Sequence, residues 1–259
     1  EMEKFGFGAL TGIDILGEVR GVLPSTAWKR TAYKRPEQQR WYAGETISLG
    51  IGQGYNNFTM LQLALATSMI ANDGVKMRPH LVKEITDIVT RESRETIKEI
   101  KAEYAAKPEN IAVIKKALVG VNVEGTGATA FRGAPYVAAG KTGTAQVFTV
   151  KQNEKYNAAR TAERLRDHAL YMAYAPADKP SIALALVVEN AGFGGAAAAP
   201  IARRVFDYWL LGKLPTPEDL AAVQKGQATA PLGTAPAAAA SAARAAASAA
   251  AAASAVQPD

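Results

Sequence analysis

The run from Tyr136 to Phe148, YVAAGKTGTAQVF, has Gly140-Lys141-Thr142-Gly143-Thr144 at its centre, and how that centre is read decides the fold. Gly-Lys-Thr also closes the phosphate-binding loop of nucleotide hydrolases. That loop needs a glycine five residues before the glycine of Gly-Lys-Thr, where this chain has Pro135, so the nucleotide reading fails. What remains is a strand whose glycines let another group approach the backbone closely. Two further strands follow it, His168 to Ala175 (HALYMAYA) and Ile182 to Glu189 (IALALVVE), joined by the turn Pro176 to Pro180. So short a link makes them an antiparallel hairpin. Beyond them, Pro200 opens an amphipathic helix through Leu211, with Ile201, Val205, Tyr208 and Trp209 expected toward the sheet and Gly212 as its stop. On the N-terminal side, Pro108 to Val119 reads as a helix with Ile111, Ile114 and Leu118 on one face, followed by a loop from Gly125 to Phe131. The pattern is α+β, an antiparallel sheet flanked by helices.

Farther out, Thr59 to Asn72 (TMLQLALATSMIAN) is apolar nearly all round, with Thr59 as N-cap and Gly74 as stop, which describes a core helix. The glycines of Gly50 to Tyr55 (GIGQGY) lack the spacing of a dinucleotide fingerprint. The Gly-rich opening, the basic run Lys29, Arg30, Lys34 and Arg35, and Trp28, Trp41 and Tyr42 predict a long irregular connection anchored by aromatic rings. Alternation from His80 to Ile85 hints at a strand, and Arg91 to Lys107 reads as a charged exposed segment. Residues 1–213 are expected to be one portion of a folded domain. Residues 214–259, rich in Ala, Ser and Pro, bury too little to offset ordering entropy and read as a disordered tail.

Composition narrows the chemistry. The 259 residues contain no Cys, which removes disulfides and thiolate zinc sites, and His80 and His168 are too far apart in sequence to suggest a metal pair. His168, opening a strand, is expected to be structural, and Asp167 is a candidate to orient it or Arg166. Gly192 to Gly195 (GFGG) fits a turn between strand and helix better than an anion nest. The formal charge of +6 is not interleaved with aromatics in any nucleic-acid-binding pattern, so no nucleic acid is expected; it reads as a solvated basic surface, a mild excess compatible with anionic partners such as a membrane surface or polymer carboxylates. The chain opens with neither a basic n-region nor an apolar h-region and has no apolar run of 18 residues. Glu1 as first residue suggests a piece of something longer.

The residue types of the central motif suit a substrate that ends in a carboxylate. An ammonium (Lys141) and two hydroxyls (Thr142, Thr144) on one strand can hold it by charge-assisted hydrogen bonds. Gly143 leaves room for an acyl chain, and the Thr144 N–H can face a developing oxyanion. Lys-Thr-Gly is also the element that borders the site in serine acyltransferases acting on penicillin and D-Ala-D-Ala peptides. The wider sequence resembles the C-terminal half of the penicillin-binding protein 2 class of D,D-transpeptidases, which serves the rod-shape elongation machinery. The stretches that carry the resemblance include Thr11 to Asp14 (TGID), Trp41 to Thr46 (WYAGET), Gly50 to Tyr55, Leu61 to Ala64 (LQLA), Asn72 to Gly74, Lys141 to Gln146 (KTGTAQ), Tyr156-Asn157 and Ala162 to His168 (AERLRDH). The resemblance implies the fold shared by penicillin-binding transpeptidases and serine beta-lactamases, incomplete at its N-terminus, and an enzyme that cross-links peptidoglycan through an acyl-serine. Lys141 and the Thr144 N–H would be catalytic, and Thr142, Gly143 and Thr144 would bind substrate. No cofactor or metal is implied. Partners would be peptidoglycan stem peptides, beta-lactams and elongation-complex membrane proteins including a glycosyltransferase. The place of work would be the periplasmic face of the bacterial inner membrane, reached through an anchor outside this chain.

The family's nucleophile lies in Ser-x-x-Lys and its proton partner in Ser-x-Asn or Ser-x-Asp, and neither occurs here: Ser25 is followed at the third position by Trp28, Ser48 by Ile51, Ser68 by Ala71 and Ser93 by Thr96. Thr26-x-x-Lys29 has the spacing with a threonine, in what reads as a basic loop. The expectation is a fragment that owns one wall of the site and not its nucleophile. Without the helix that carries Ser-x-x-Lys, the apolar Met60 to Ile70 helix is expected to be exposed. The alternative is a non-catalytic homologue that binds cell-wall peptide or elongation-complex partners.

Overall fold

The computed structural model describes residues 1–103, 107–147, 157, 161–215 and 232–234. Phe148, Tyr156 and most of the expected tail lie outside the described residues. Two compact units divide the chain, residues 1–69 with 74–105, and residues 70–73 with 106–259, so residues 1–213 contribute to both.

The first unit corrects the expectation of an irregular opening. It holds three short helices, α1 (Thr26–Ala32), α2 (Pro36–Gln39) and α3 (Ala43–Gly50). Thr26-x-x-Lys29 is therefore helical, started by the Ser25 side chain, which accepts from the Trp28 N–H at 3.0 Å. Lys29 organises this region from within: it is 3% exposed and donates to the Arg40 carbonyl at 2.7 Å and to Glu45. Its ammonium lies 5.3–5.9 Å from the ring centres of Trp41, Tyr42 and Tyr55. A buried cation needs such a complete set of partners. The Lys29 ammonium, then the Tyr42 N–H, hold the Glu45 carboxyl below the usual carboxylate range.

Helix α4 (Met60–Ala71) starts where expected. Thr59 and Gln62 cap each other reciprocally, Gln62 N–H to the Thr59 hydroxyl at 3.1 Å and Thr59 N–H to Gln62 Oε1 at 3.0 Å. The Gln62 amide then donates to the Ala9 and Arg20 carbonyls at 2.8 and 2.7 Å, which fixes the Gly-rich opening. No α4 residue is exposed, contrary to expectation. Strands β1 (Val75–Met77), β2 (Glu84–Thr86), β3 (Ser93–Glu95) and β4 (Ile100–Glu103) form two antiparallel pairs, β1 with β4 and β2 with β3. The segment read as merely charged thus supplies two strands, paired through the backbone and largely exposed.

The second unit contains the sheet that the sequence outlined. Helix α5 (Pro108–Val123) starts at its expected proline and runs four residues past Val119; Ile111 and Leu118 are buried, whereas Ile114 is 44% exposed. The expected loop after it contains one helical turn, α6 (Ala128–Phe131). Strands β5 (Ala139–Ala145), β6 (His168–Ala175) and β7 (Ile182–Val188) form an antiparallel sheet in that order, with Thr142 opposite Tyr171 and Tyr171 opposite Leu186. Helices α7 (Gly194–Ala197) and α8 (Ala199–Leu211) follow, and Gly212 ends α8 at φ 67°, a left-handed stop that favours glycine. Strand β8 (Lys213–Pro215) pairs antiparallel with β9 (Leu232–Thr234), a strand inside the stretch read as disordered tail.

Strand β6 is covered on both faces. Ala169, Tyr171, Ala173 and Ala175 pack with Phe131, Ala198, Ala199, Ala202 and Phe206. Tyr174, on the other face, packs with Ala71, Leu118 and Ala139. The face of α8 differs from the one expected: Ile201 and Val205 are 43% and 40% exposed, while Ala199, Ala202 and Phe206 are buried. Small side chains bring the helix axis close to the sheet, and the single large ring fills the space between.

A buried polar link ties α5 to the sheet. Tyr171 donates its hydroxyl to Asn122 Oδ1 at 2.6 Å, and Asn122 Nδ2 donates to the Ala138 carbonyl at 3.0 Å. Gly140 makes room for it, since a Cβ there would lie 2.4 Å from the Tyr171 hydroxyl oxygen. Burial pushes the Tyr171 phenol up, so it stays a donor. Asn122→Leu is expected to cost about 1–3 kcal/mol by leaving the hydroxyl unsatisfied. Adding Tyr171→Phe should cost little more, because the hydroxyl has already lost its acceptor. A double-mutant cycle by chemical denaturation measures this, and additive losses would contradict it.

Candidate active site

Strand β5 is an edge of the three-stranded sheet among the described residues, and its alternation points Thr142 and Thr144 the same way. Both line a cavity of about 530 Å³, with Gly143 between them. Thr126 and Thr129 line it from the α5–α6 connection and α6, and Phe193, Gly194 and Gly195 from the start of α7. No charged side chain is among its described lining residues.

Glycines set the shape of this cavity. A Cβ on Gly194 would fall 2.1 Å from the Leu170 carbonyl oxygen and 2.6 Å from that of Gly143, so α7 rests directly on the backbones of β5 and β6. A Cβ on Gly195 would lie 2.4 Å from the Thr126 carbonyl oxygen. The Gly192 to Gly195 stretch is the turn from strand to helix that the sequence suggested, with the Gly192 N–H bonded to the Asp167 carbonyl at 2.8 Å.

The sequence-selected residues are only partly brought together. Thr142, Gly143 and Thr144 share the cavity. Lys141 is exposed and outside the lining, its ammonium donating to the Thr142 carbonyl at 2.7 Å. His168 Nδ1 accepts from the Asn190 N–H at 2.9 Å, a bond that secures the start of β6. Sequence reasoning missed Thr126, whose hydroxyl lies 2.7 Å from that of Thr142, and Thr129. The glycines at 125 and 127 were the available signal, because paired glycines beside a helix end often mark close backbone approach.

The arrangement presents hydroxyls and a strand edge; among its described lining residues, the cavity has no acidic, basic or imidazole side chain. Comparison with known proteins identifies the family. The family model described as "Penicillin binding protein transpeptidase domain" matches residues 1–207. A curated relative, peptidoglycan D,D-transpeptidase MrdA of Haemophilus influenzae, is 44% identical over 224 residues, covering 84% of this chain and 33% of the relative. The Escherichia coli protein of the same name is 39% identical over 238 residues, covering 88% and 35%. Among solved structures, PBP2 of Pseudomonas aeruginosa in complex with WCK 5153 superposes with a TM-score of 0.65 at 36% identity, over 81% of this chain and 42% of that one. PBP2 of Helicobacter pylori in complex with MreC gives 0.63 at 26% identity, over 81% and 35%. The chain spans about a third of the length of the curated relatives it matches.

Proposed function

The chain belongs to the penicillin binding protein transpeptidase domain family, and from that premise we propose that it is the C-terminal part of a penicillin-binding protein 2, a serine D,D-transpeptidase that cross-links peptidoglycan. The observation that carries this reading is the placement of Thr142, Gly143 and Thr144 on one wall of a cavity free of charged side chains among its described lining residues. In the whole protein, a serine from Ser-x-x-Lys, supplied by residues outside this chain, attacks the carbonyl between the last two D-Ala residues of a stem peptide. The terminal D-Ala leaves, and an amine of a neighbouring stem peptide resolves the ester and regenerates the serine. The Thr142 and Thr144 hydroxyls and the Lys141 ammonium hold the terminal carboxylate, and the Thr144 N–H faces the oxyanion. Lys141 reaches that role by leaving the Thr142 carbonyl and turning toward the segment that carries the nucleophile. Penicillins acylate the same serine.

Work at the periplasmic face of the inner membrane, among elongation-complex proteins, follows from the same reading. The MreC complex of the Helicobacter pylori relative supports it. Among the described residues no helix is long and apolar enough to cross a membrane.

In the full-length protein, Lys141→Ala is expected to slow acylation by a fluorescent penicillin roughly 10- to 100-fold, the loss of one hydrogen bond to a charged group. Near-normal labelling of that variant would remove Lys141 from the site. No labelling of the unaltered protein would leave the non-catalytic binding module as the better reading.

A further inference from the structure

The Thr126 and Thr142 hydroxyls lie 2.7 Å apart, and the geometry points to Thr126 as a positioning residue that fixes the Thr142 hydroxyl for the carboxylate of the acyl donor. This deepens the proposed function and rests on it.

A threonine hydroxyl has one proton to donate and two lone pairs to accept with. Thr142 can give its proton to a carboxylate oxygen only if it does not give it to Thr126. In the productive arrangement Thr126 is therefore the donor and Thr142 the acceptor, and the Thr142 proton points into the cavity. A hydroxyl that accepts one bond is also polarised to donate a stronger one. Beside the Lys141 ammonium, the direction of these hydroxyl dipoles sets how well the cavity wall itself receives a carboxylate, since no described lining residue carries a charge.

The backbone around Thr126 is built to keep it there. The Gly125 N–H donates to the Gly120 carbonyl at 3.0 Å and the Gly127 N–H to the Val121 carbonyl at 2.9 Å, which binds the connection to the end of α5. A Cβ on Gly127 would lie 2.2 Å from Asn122 Oδ1, so this glycine lets the connection close over the buried Asn122. From the other side α7 approaches the Thr126 carbonyl at Gly195, where a Cβ would intrude. The position is thus fixed by glycine contacts on two elements, and the Thr126 side chain spends its hydroxyl on the motif strand. A tether between loop and sheet would use the same contact. The two roles differ in one respect: only positioning depends on the substrate's carboxylate.

The test uses the full-length protein, benzylpenicillin as the free acid, and its methyl ester, which lacks the carboxylate. Thr126→Val is expected to lower the acylation efficiency of the acid by about 3- to 10-fold and to leave that of the ester unchanged. Thr126→Ser, which restores the hydroxyl, should stay within about twofold of the unaltered protein on both. The acid-to-ester ratio does not depend on the fraction of protein folded, so a poorly folding variant is still informative. Equal losses on acid and ester, a Thr126→Val variant indistinguishable from the unaltered protein, or a Thr126→Ser variant as impaired as Thr126→Val would each overturn the positioning role alone. If the unaltered protein is not acylated by penicillin at all, the transpeptidase reading falls and this inference with it.

Discussion

Gly194→Ala is expected to lower the stability of the sheet by at least about 3 kcal/mol, the upper end of what overpacking costs, and to abolish most penicillin labelling of the full-length protein. The new methyl carbon would meet the Leu170 and Gly143 carbonyl oxygens at 2.1 and 2.6 Å and the Gly143 nitrogen at 3.0 Å. All three are main-chain atoms within β5 and β6, so no rotamer change can relieve the contact. Either α7 retreats or the two strands shift, and both move a wall of the cavity that Thr142 and Thr144 line. Hydrogen exchange of the β5 and β6 amides reads the stability loss locally. Gly44→Ala is the control: nothing lies within 4 Å of its added carbon, and it sits inside α3. It should be neutral or stabilise by about 0.4–1 kcal/mol. Unchanged β5 protection and labelling in Gly194→Ala would mean that α7 does not rest on the strand backbone.

Much of the second unit was legible because its elements bury side chains with a clean period. His168 to Ala175 is an apolar run closed by the turn at Pro176, and β6 has those bounds. The Lys-Thr-Gly strand was legible as a motif and the short Pro176 to Pro180 turn placed β7 beside β6, whereas the pairing of β5 with β6 joins residues too far apart in sequence for any turn to set their register. What failed was the assumption that large apolar residues mark the buried face. On α8 the contact is made by Ala199, Ala202 and Phe206, so a reading weighted by side-chain size chose Ile201 and Val205 instead. In the first unit, α1 to α3 have too few residues for a period to show. They hold together through Lys29, whose partners Arg40 and Glu45 are 11 and 16 residues away. A lysine in a basic run gives no sign that it is the buried one.

The site divides the same way. Thr142 and Thr144 carry their chemistry in the sequence, whereas Thr126 and Gly194 matter because of what lies next to them in space. Paired glycines announce that something comes close, without saying what. Here the neighbours are the backbone of β5, the carbonyl of Thr126 and the side chain of Asn122. Three of the eleven described lining residues are glycines, so part of the cavity wall is made by the absence of side chains.

Asp207→Ala is expected to be the other severe substitution, at about 3 kcal/mol, because it removes the buried partner of the half-buried Arg203 cation. Asp207 is 2% exposed. Its carboxylate accepts from the Tyr136 hydroxyl and from Arg203 Nε, each at 2.7 Å. Burial and then the Asp207 carboxylate raise the Tyr136 phenol above its ordinary value, so it remains a donor. The Arg203 guanidinium lies 5.9 Å from the Tyr136 ring centre and also donates to the Ala130 and Arg132 carbonyls at 3.2 and 3.3 Å, closing the end of α6. Without the carboxylate, the Arg203 side chain, 19% exposed, must either stay poorly compensated or swing to water and release α6. Thr129 and Ala130 of α6 line the cavity, so penicillin labelling should fall together with stability. The double variant Arg203→Met with Asp207→Leu separates the two costs. Replacing both charges with apolar groups of similar size removes the desolvation penalty and should recover most of the stability. It does not restore the bonds to the Ala130 and Arg132 carbonyls, so labelling should recover less than stability does. A double variant as unstable as Asp207→Ala would mean that the carboxylate stabilises the fold through Tyr136 and not by neutralising Arg203.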